Sequence, residues 1–163
     1  MTSPVRVAAV VPAAGRGERL GPGLPKALRE LAGVPMLVHA VRALSAARRV
    51  SLVVVAAPAD GVAEVQSMLD HHLTGPSAAE VRVVPGGDTR QDSVRMALAA
   101  LPDDVGVVLV HDAARPLVPP ELIDAVAGAV LAGAPAVVPC LPLADTVKRA
   151  DAWGRVVETL RRD

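Results

Sequence analysis

The apolar runs in this chain do not alternate, and that restricts its fold more than any other feature. Residues 5–11 and 50–57 are almost unbroken Val, Ala and Leu. A strand that is apolar at every position needs cover on both faces, which is the condition of a parallel sheet enclosed by helices. Shorter runs at 81–84, 106–110 and 136–138 read as further buried strands. Helical spacing fills the intervals. Leu37, Val41 and Leu44 mark a helix over 35–46, and Val65 and Leu69 one over 62–73. A third is expected over 93–101, and a fourth over 120–131 with Pro120 at its start and Leu122, Val126 and Val130 four apart. Strands alternating with helices predict an α/β fold. The expected form is Rossmann-like, a mostly parallel sheet with helices on both faces.

Three polar loops each follow one of these strands, at 13–26, 86–93 and 111–116. In open parallel sheets ligands bind beyond the carboxyl ends of the strands, so the three loops are expected to build one site. The first loop holds Gly15, Gly17, Gly21 and Gly23 with Arg16, Arg19 and Lys26. Glycines let backbone N–H groups approach phosphate oxygens while fixed cations neutralise them. Lys26 and Lys148 are the two lysines among 17 basic residues, and a lysine closing a glycine loop is a mobile point charge suited to phosphate. The loop is neither a dinucleotide fingerprint, since Leu20 stands where the third glycine belongs, nor a P-loop, since Gly-Lys-Ser/Thr is absent.

Composition removes other classes. Net charge is zero, Phe and Tyr are absent, and Trp153 is the one large ring. The chain therefore offers no basic face and no stacking platform for nucleic acid. A lone cysteine, Cys140, excludes an intramolecular disulfide framework and is expected to be a small buried residue. Adjacent His71 and His72 read as surface residues, and no Gly-x-Ser-x-Gly occurs. Residues 7–14 are too short a run for a signal peptide. Residues 125–144 carry no charge, but Pro135, Pro139 and Pro142 would break a spanning helix. The expectation is a soluble, cytoplasmic protein without a membrane partner.

After Cys140 the character changes. Asp151-Ala152-Trp153-Gly154 lies between two short β-like runs, 146–149 and 155–160, which predicts a projecting hairpin arm. Such an arm has little core of its own and needs a surface to lie on. The chain thus divides into a nucleotide-binding α/β core, 1–140, and a β-arm, 141–163.

The motifs also resemble a known family. Ala13-Ala14-Gly15-x-Gly17-x-Arg19-Leu20 with Pro25-Lys26 is similar to the signature loop of the sugar-nucleotide pyrophosphorylase superfamily. Gly86-Gly87-Asp88-x-Arg90-x-x-Ser93-Val94, His111-Asp112-Ala113-Ala114-Arg115-Pro116, Asp145-Thr146-Val147-Lys148-Arg149 and Glu158-Thr159 resemble, in order, its 2-C-methyl-D-erythritol 4-phosphate cytidylyltransferase branch. The resemblance implies transfer of a cytidylyl group from CTP to a polyol phosphate, with Mg²⁺ or another divalent cation. Ala13, Ala14, Gly15, Gly17, Gly87, Asp88, Ser93 and Ala113 would line the nucleotide, while Arg19 and Lys26 would clamp the phosphates. Asp112 would carry the metal and, with Arg115, Thr146 and Arg162, meet the second substrate. His111 is expected to orient its loop. The resemblance also implies a homodimer through the arm. Ribitol-5-phosphate cytidylyltransferase shares these features, and a binding module without turnover is a further alternative. Family chains continue beyond the arm with a Thr-Pro-Gln-containing strand, further helices and a late lysine. For a chain complete at 163 residues, the expectation is a weakened fold edge and little or no activity, because one side of the site is unbuilt.

Overall fold

A computed structural model describes residues 5–15, 25–74 and 79–161. Strand β1 (Arg6–Pro12) leads to a two-residue ladder of β2 (Glu30–Leu31) with β3 (Val34–Pro35). Helix α1 (Met36–Ala46), β4 (Val50–Ala57), α2 (Val62–His72), β5 (Glu80–Pro85), α3 (Arg90–Ala99), β6 (Val105–Val110) and α4 (Pro120–Leu131) follow in turn. The main sheet runs β5-β4-β1-β6 with every pair parallel. Separate from it is an antiparallel hairpin of β7 (Lys148–Ala150) with β8 (Val156–Thr159).

The unbroken apolar runs follow from burial on both sides. Val7, Ala9 and Val11 of β1 and Val53, Val55 and Ala57 of β4 face one layer, where α1, α2 and α4 pack through residues such as Leu37, Leu69 and Ile123. Ala8 and Val10 of β1 and Leu52, Val54 and Ala56 of β4 face the other, where α3 packs through Val94 and Ala97. The outer strands have less cover, and β6 in particular is half-exposed at Val108 and Val110. The expected buried strand at 106–110 is therefore a partly exposed edge, paired with β1 alone among the described residues.

Topology places the ligand crevice. From β1 the chain steps outward to β4 and then β5, and afterwards crosses back to β6 on the other side of β1. Right-handed crossovers require the helix to change face when the direction reverses, and α3 is the helix that changes face. The order reverses between β1 and β6, so the crevice opens at their carboxyl ends.

Several sequence expectations are corrected. Helix α3 begins at Arg90 rather than Ser93. Thr89 caps it, its hydroxyl oxygen accepting from the Asp92 N–H at 3.0 Å and its O–H donating to the Asp92 carboxylate at 2.6 Å. On α4 the buried stripe is Ile123 and Ala127, one residue round from the expected one, and Leu122 is exposed. Residues 136–138 form no strand, and Val138 is 80 % exposed. Pro135 and Pro139 flank this run, and neither can donate to a ladder. Cys140 lies in the same irregular segment and is exposed, not buried. Among the described residues no helix is long and apolar enough to cross a membrane.

A long-range clamp fixes α4. The Asp124 carboxylate accepts the backbone N–H of Arg49 at 2.9 Å and of Arg48 at 3.2 Å, in the turn between α1 and β4. Its side chain is 12 % exposed, and the Arg48 guanidinium lies 3.4 Å away. Burial alone would raise its pKa, but these donors outweigh burial and hold it below the ordinary carboxylate value. The stabilisation is therefore complete above the unfolded carboxyl pKa and is lost as pH falls through the lower folded one. Asp124→Ala is expected to cost about 2 kcal/mol at pH 7, read from urea denaturation. The gap between the two proteins should start to narrow as pH falls below about 4 and close only once pH has passed the lower folded pKa. A gap that does not change with pH would refute the clamp.

Candidate active site

Each of the three strand-end loops is tied to the sheet by a main-chain bond. The Ala13 N–H donates to the Ala56 carbonyl at 2.8 Å, that of Gly86 to Ala57 at 2.7 Å, and that of His111 to Val10 at 3.0 Å. The loops start from positions bonded to the sheet and converge on one cavity of about 540 Å³.

Two glycines let the walls of that cavity close together. A Cβ on Gly86 would lie 2.6 Å from the Ala14 Cβ, 3.0 Å from the Ser93 Oγ and 3.2 Å from the Ala57 carbonyl oxygen. A Cβ on Gly87 would collide with Asp92. Ser93 is buried, and its hydroxyl is engaged by the loop. It accepts the Gly87 N–H at 3.2 Å, with the carbonyls of Thr89 at 3.0 Å and Gly87 at 3.2 Å within reach of its proton. Its geometry is that of a residue that shapes the 86–89 backbone.

The third wall is a tight turn. The Arg115 N–H donates to the Asp112 carbonyl at 2.9 Å, and His111 Nε2 lies 3.1 Å from the Arg115 carbonyl. A carbonyl can only accept, so Nε2 carries the proton. Burial pushes the His111 pKa below its ordinary 6.5, ahead of the opposing pull of the Arg115 carbonyl and Asp112. His111 is therefore a neutral donor that closes the turn, as the sequence suggested.

The cavity brings together Ala13, Ala14, Gly15, Lys26, Gly87, Asp88, Ser93, Asp112, Ala113 and Arg115, all candidates from the sequence. Lys26 opens a short 3-10 turn, Lys26–Leu28, and is exposed. Thr146 is not among the lining residues; it is exposed just before the hairpin. Gly17, Arg19 and Arg162 lie outside the described residues. Sequence reasoning missed Arg90 as a site residue. It lines the cavity and donates from Nε and Nη2 to Asp112 Oδ1 at 3.0 and 2.7 Å. Its charge partner stands 22 residues away, so local spacing carried no signal beyond its place in the 86–94 motif.

Charge in the cavity leans positive. Lys26, Arg90 and Arg115 face Asp88 and Asp112. Such a concave, partly cationic site with apolar Ala walls suits a phosphorylated ligand with a compact organic part.

Comparison with known proteins gives a consistent result. The family model described as IspD, 2-C-methyl-D-erythritol 4-phosphate cytidylyltransferase, matches residues 7–163. A relative of that name from Streptomyces coelicolor is 66 % identical over 149 residues, covering 91 % of this chain and 55 % of its own. One from Streptomyces avermitilis is 64 % identical, covering 91 % and 59 %. The chain thus spans just over half the length of these curated relatives. Among solved structures, 4-diphosphocytidyl-2C-methyl-D-erythritol synthase from Anaerococcus prevotii superposes with a TM-score of 0.80 at 26 % identity. That match covers 96 % of this chain and 64 % of the other.

Two outcomes are expected from this geometry. Gly86→Ala should weaken binding of inorganic tripolyphosphate, used as a polyanion probe, about tenfold or more in calorimetry, because the 86–89 loop must move off Ala14. Unchanged affinity would show that the close approach is not required. Imidazole ¹⁵N shifts should show His111 as the Nε2–H tautomer at pH 7 and titrating below 6.5. A midpoint above 6.5 would contradict the burial argument.

Proposed function

Because this chain belongs to the 2-C-methyl-D-erythritol 4-phosphate cytidylyltransferase family, we propose that its cavity joins CTP to 2-C-methyl-D-erythritol 4-phosphate and releases pyrophosphate. The observation that carries this reading is the convergence of three strand-end loops on one cavity bearing Lys26, Asp112 and Arg115. An oxygen of the sugar-alcohol phosphate attacks the α-phosphorus of CTP. The bond from that phosphorus to the bridging oxygen breaks, and pyrophosphate leaves with the electron pair. A phosphate monoester with a second pKa near 6 is largely dianionic at pH 7, so the step needs no general base. That agrees with a His111 ring proton engaged by a carbonyl.

The protein's task is then positioning and charge neutralisation. Lys26 meets the phosphates of CTP, together with Arg19 of the glycine loop. Backbone groups of Ala13, Ala14 and Gly15 face the triphosphate, a role the glycine-loop motif extends to Gly17, and Gly87, Asp88, Ser93 and Ala113 frame the base. Arg115 holds the sugar-alcohol phosphate. Among the described residues no cluster of three or more His, Cys, Asp or Glu forms a resident metal site. Asp112 is a single carboxylate at a strand end, a donor set that fits a Mg²⁺ ion arriving on the triphosphate. Bound there, the ion would offset phosphate charge.

The arm completes the proposal. Both strands of the hairpin are exposed along their length, with Trp153 78 % exposed and Val156 and Val157 also uncovered. Such a surface favours a homodimer in which Thr146 and Arg162 reach the partner's substrate phosphate. A cytoplasmic enzyme drawing on soluble CTP is consistent with this chemistry.

Pyrophosphate release from CTP should occur with methylerythritol phosphate and not with ribitol 5-phosphate. Release with ribitol phosphate alone would replace the substrate assignment. CTP binding without release under either condition would favour a binding module. Lys26→Ala should lower turnover at least about a hundredfold while leaving the unfolding midpoint unchanged. An unaltered rate would remove Lys26 from the mechanism.

A further inference from the structure

We propose that Arg90 is a phosphate-binding residue held in reserve on Asp112, released to the triphosphate when a divalent cation takes over that carboxylate. The inference rests on the reading of the cavity as a metal–triphosphate site. Both Arg90 donors converge on one oxygen, Asp112 Oδ1, at 3.0 and 2.7 Å. Arg115 approaches the other oxygen, Oδ2, at the looser distance of 3.8 Å. A guanidinium so placed cancels the carboxylate charge that would otherwise repel a triphosphate.

A divalent cation needs the same oxygen. Two positive species on one carboxylate oxygen repel one another strongly, so the carboxylate exchanges one for the other. Arg90 is free to move. Its side chain is 62 % exposed and it is the first residue of α3. Its backbone stays in place, because the Thr89–Asp92 cap fixes the start of the helix. The neighbouring carboxylate of Asp92 is engaged by Thr89 and by Arg95 at 3.4 Å. The released guanidinium therefore stays at the cavity wall with Lys26 and Arg115, facing a polyanion. The exchange converts a neutral ion pair into a cation at the moment the phosphates arrive.

The test uses Arg90→Gln and Asp112→Asn in the full chain with two probes that carry no base and no sugar alcohol. Mn²⁺ alone, followed by water-proton relaxation, should bind Arg90→Gln several-fold more tightly than the wild type. That gain should vanish in an Asp112→Asn background, which controls for the general loss of positive charge. Inorganic tripolyphosphate with Mg²⁺, followed by calorimetry, should bind Arg90→Gln about tenfold or more weakly. These opposite signs distinguish exchange from a structural ion pair, whose loss would weaken both probes or neither. An unchanged Mn²⁺ affinity, or an unchanged tripolyphosphate affinity, overturns the proposal. Arg90→Lys should give the same signs with smaller size, which keeps the test open if the glutamine variant folds poorly. Since neither probe carries a base or a sugar alcohol, these outcomes stand whichever nucleotide and polyol phosphate the cavity turns over.

Discussion

The site depends on the burial of β1 on both faces. That strand has neighbours on either side and helices above and below, so its carboxyl end has almost no freedom. Ala13 continues its pairing with β4, and His111 is hung from the Val10 carbonyl. The glycine loop and the 111–115 turn therefore diverge from a fixed pair of points. The 86–89 loop is then pressed against Ala14 by the missing Cβ of Gly86. Rigid placement of this kind suits the proposed nucleotidyl transfer, where the protein contributes position and field more than proton traffic.

The electrostatics follow from the same placement. Each wall contributes one cation: Lys26 from the end of the first loop, Arg90 from the second and Arg115 from the third. Asp112 stands between two of them and tempers both. A cavity with three bare cations would hold any polyanion, whereas one with an internal counter-charge responds to what arrives with the polyanion. Neutral His111 adds no charge to this balance, and burial keeps it so.

Much of the fold was legible because double-sided burial leaves an unmistakable record in sequence. Residues 50–57 read as a near-continuous apolar strand, and β4 spans Val50–Ala57. The hairpin was equally legible, since Asp151 and Gly154 supply a side-chain acceptor and a positive φ at the turn. The run at 136–138 was misread because Ala and Val show apolarity without showing a partner, and its flanking prolines outweighed β-propensity. The start of α3 was misplaced because the Thr89-x-x-Asp92 cap was not weighed. At the site, strand-end reasoning gathered the loops correctly. It missed Arg90 because a pair across two loops depends on topology, not spacing.

The pairing of β1 with β6 has a consequence in time. Val7 lies opposite Val107, so β1 meets its second neighbour only after α1, β4, α2, β5 and α3 have been made. Contacts so distant in sequence carry a loop-closure cost before they stabilise anything. The β1-β4-β5 half can gather with α1 and α2 first, while the edge that carries Asp112 is still unplaced. The cavity thus waits on this long-range pairing, and its geometry arrives only with the docking of β6.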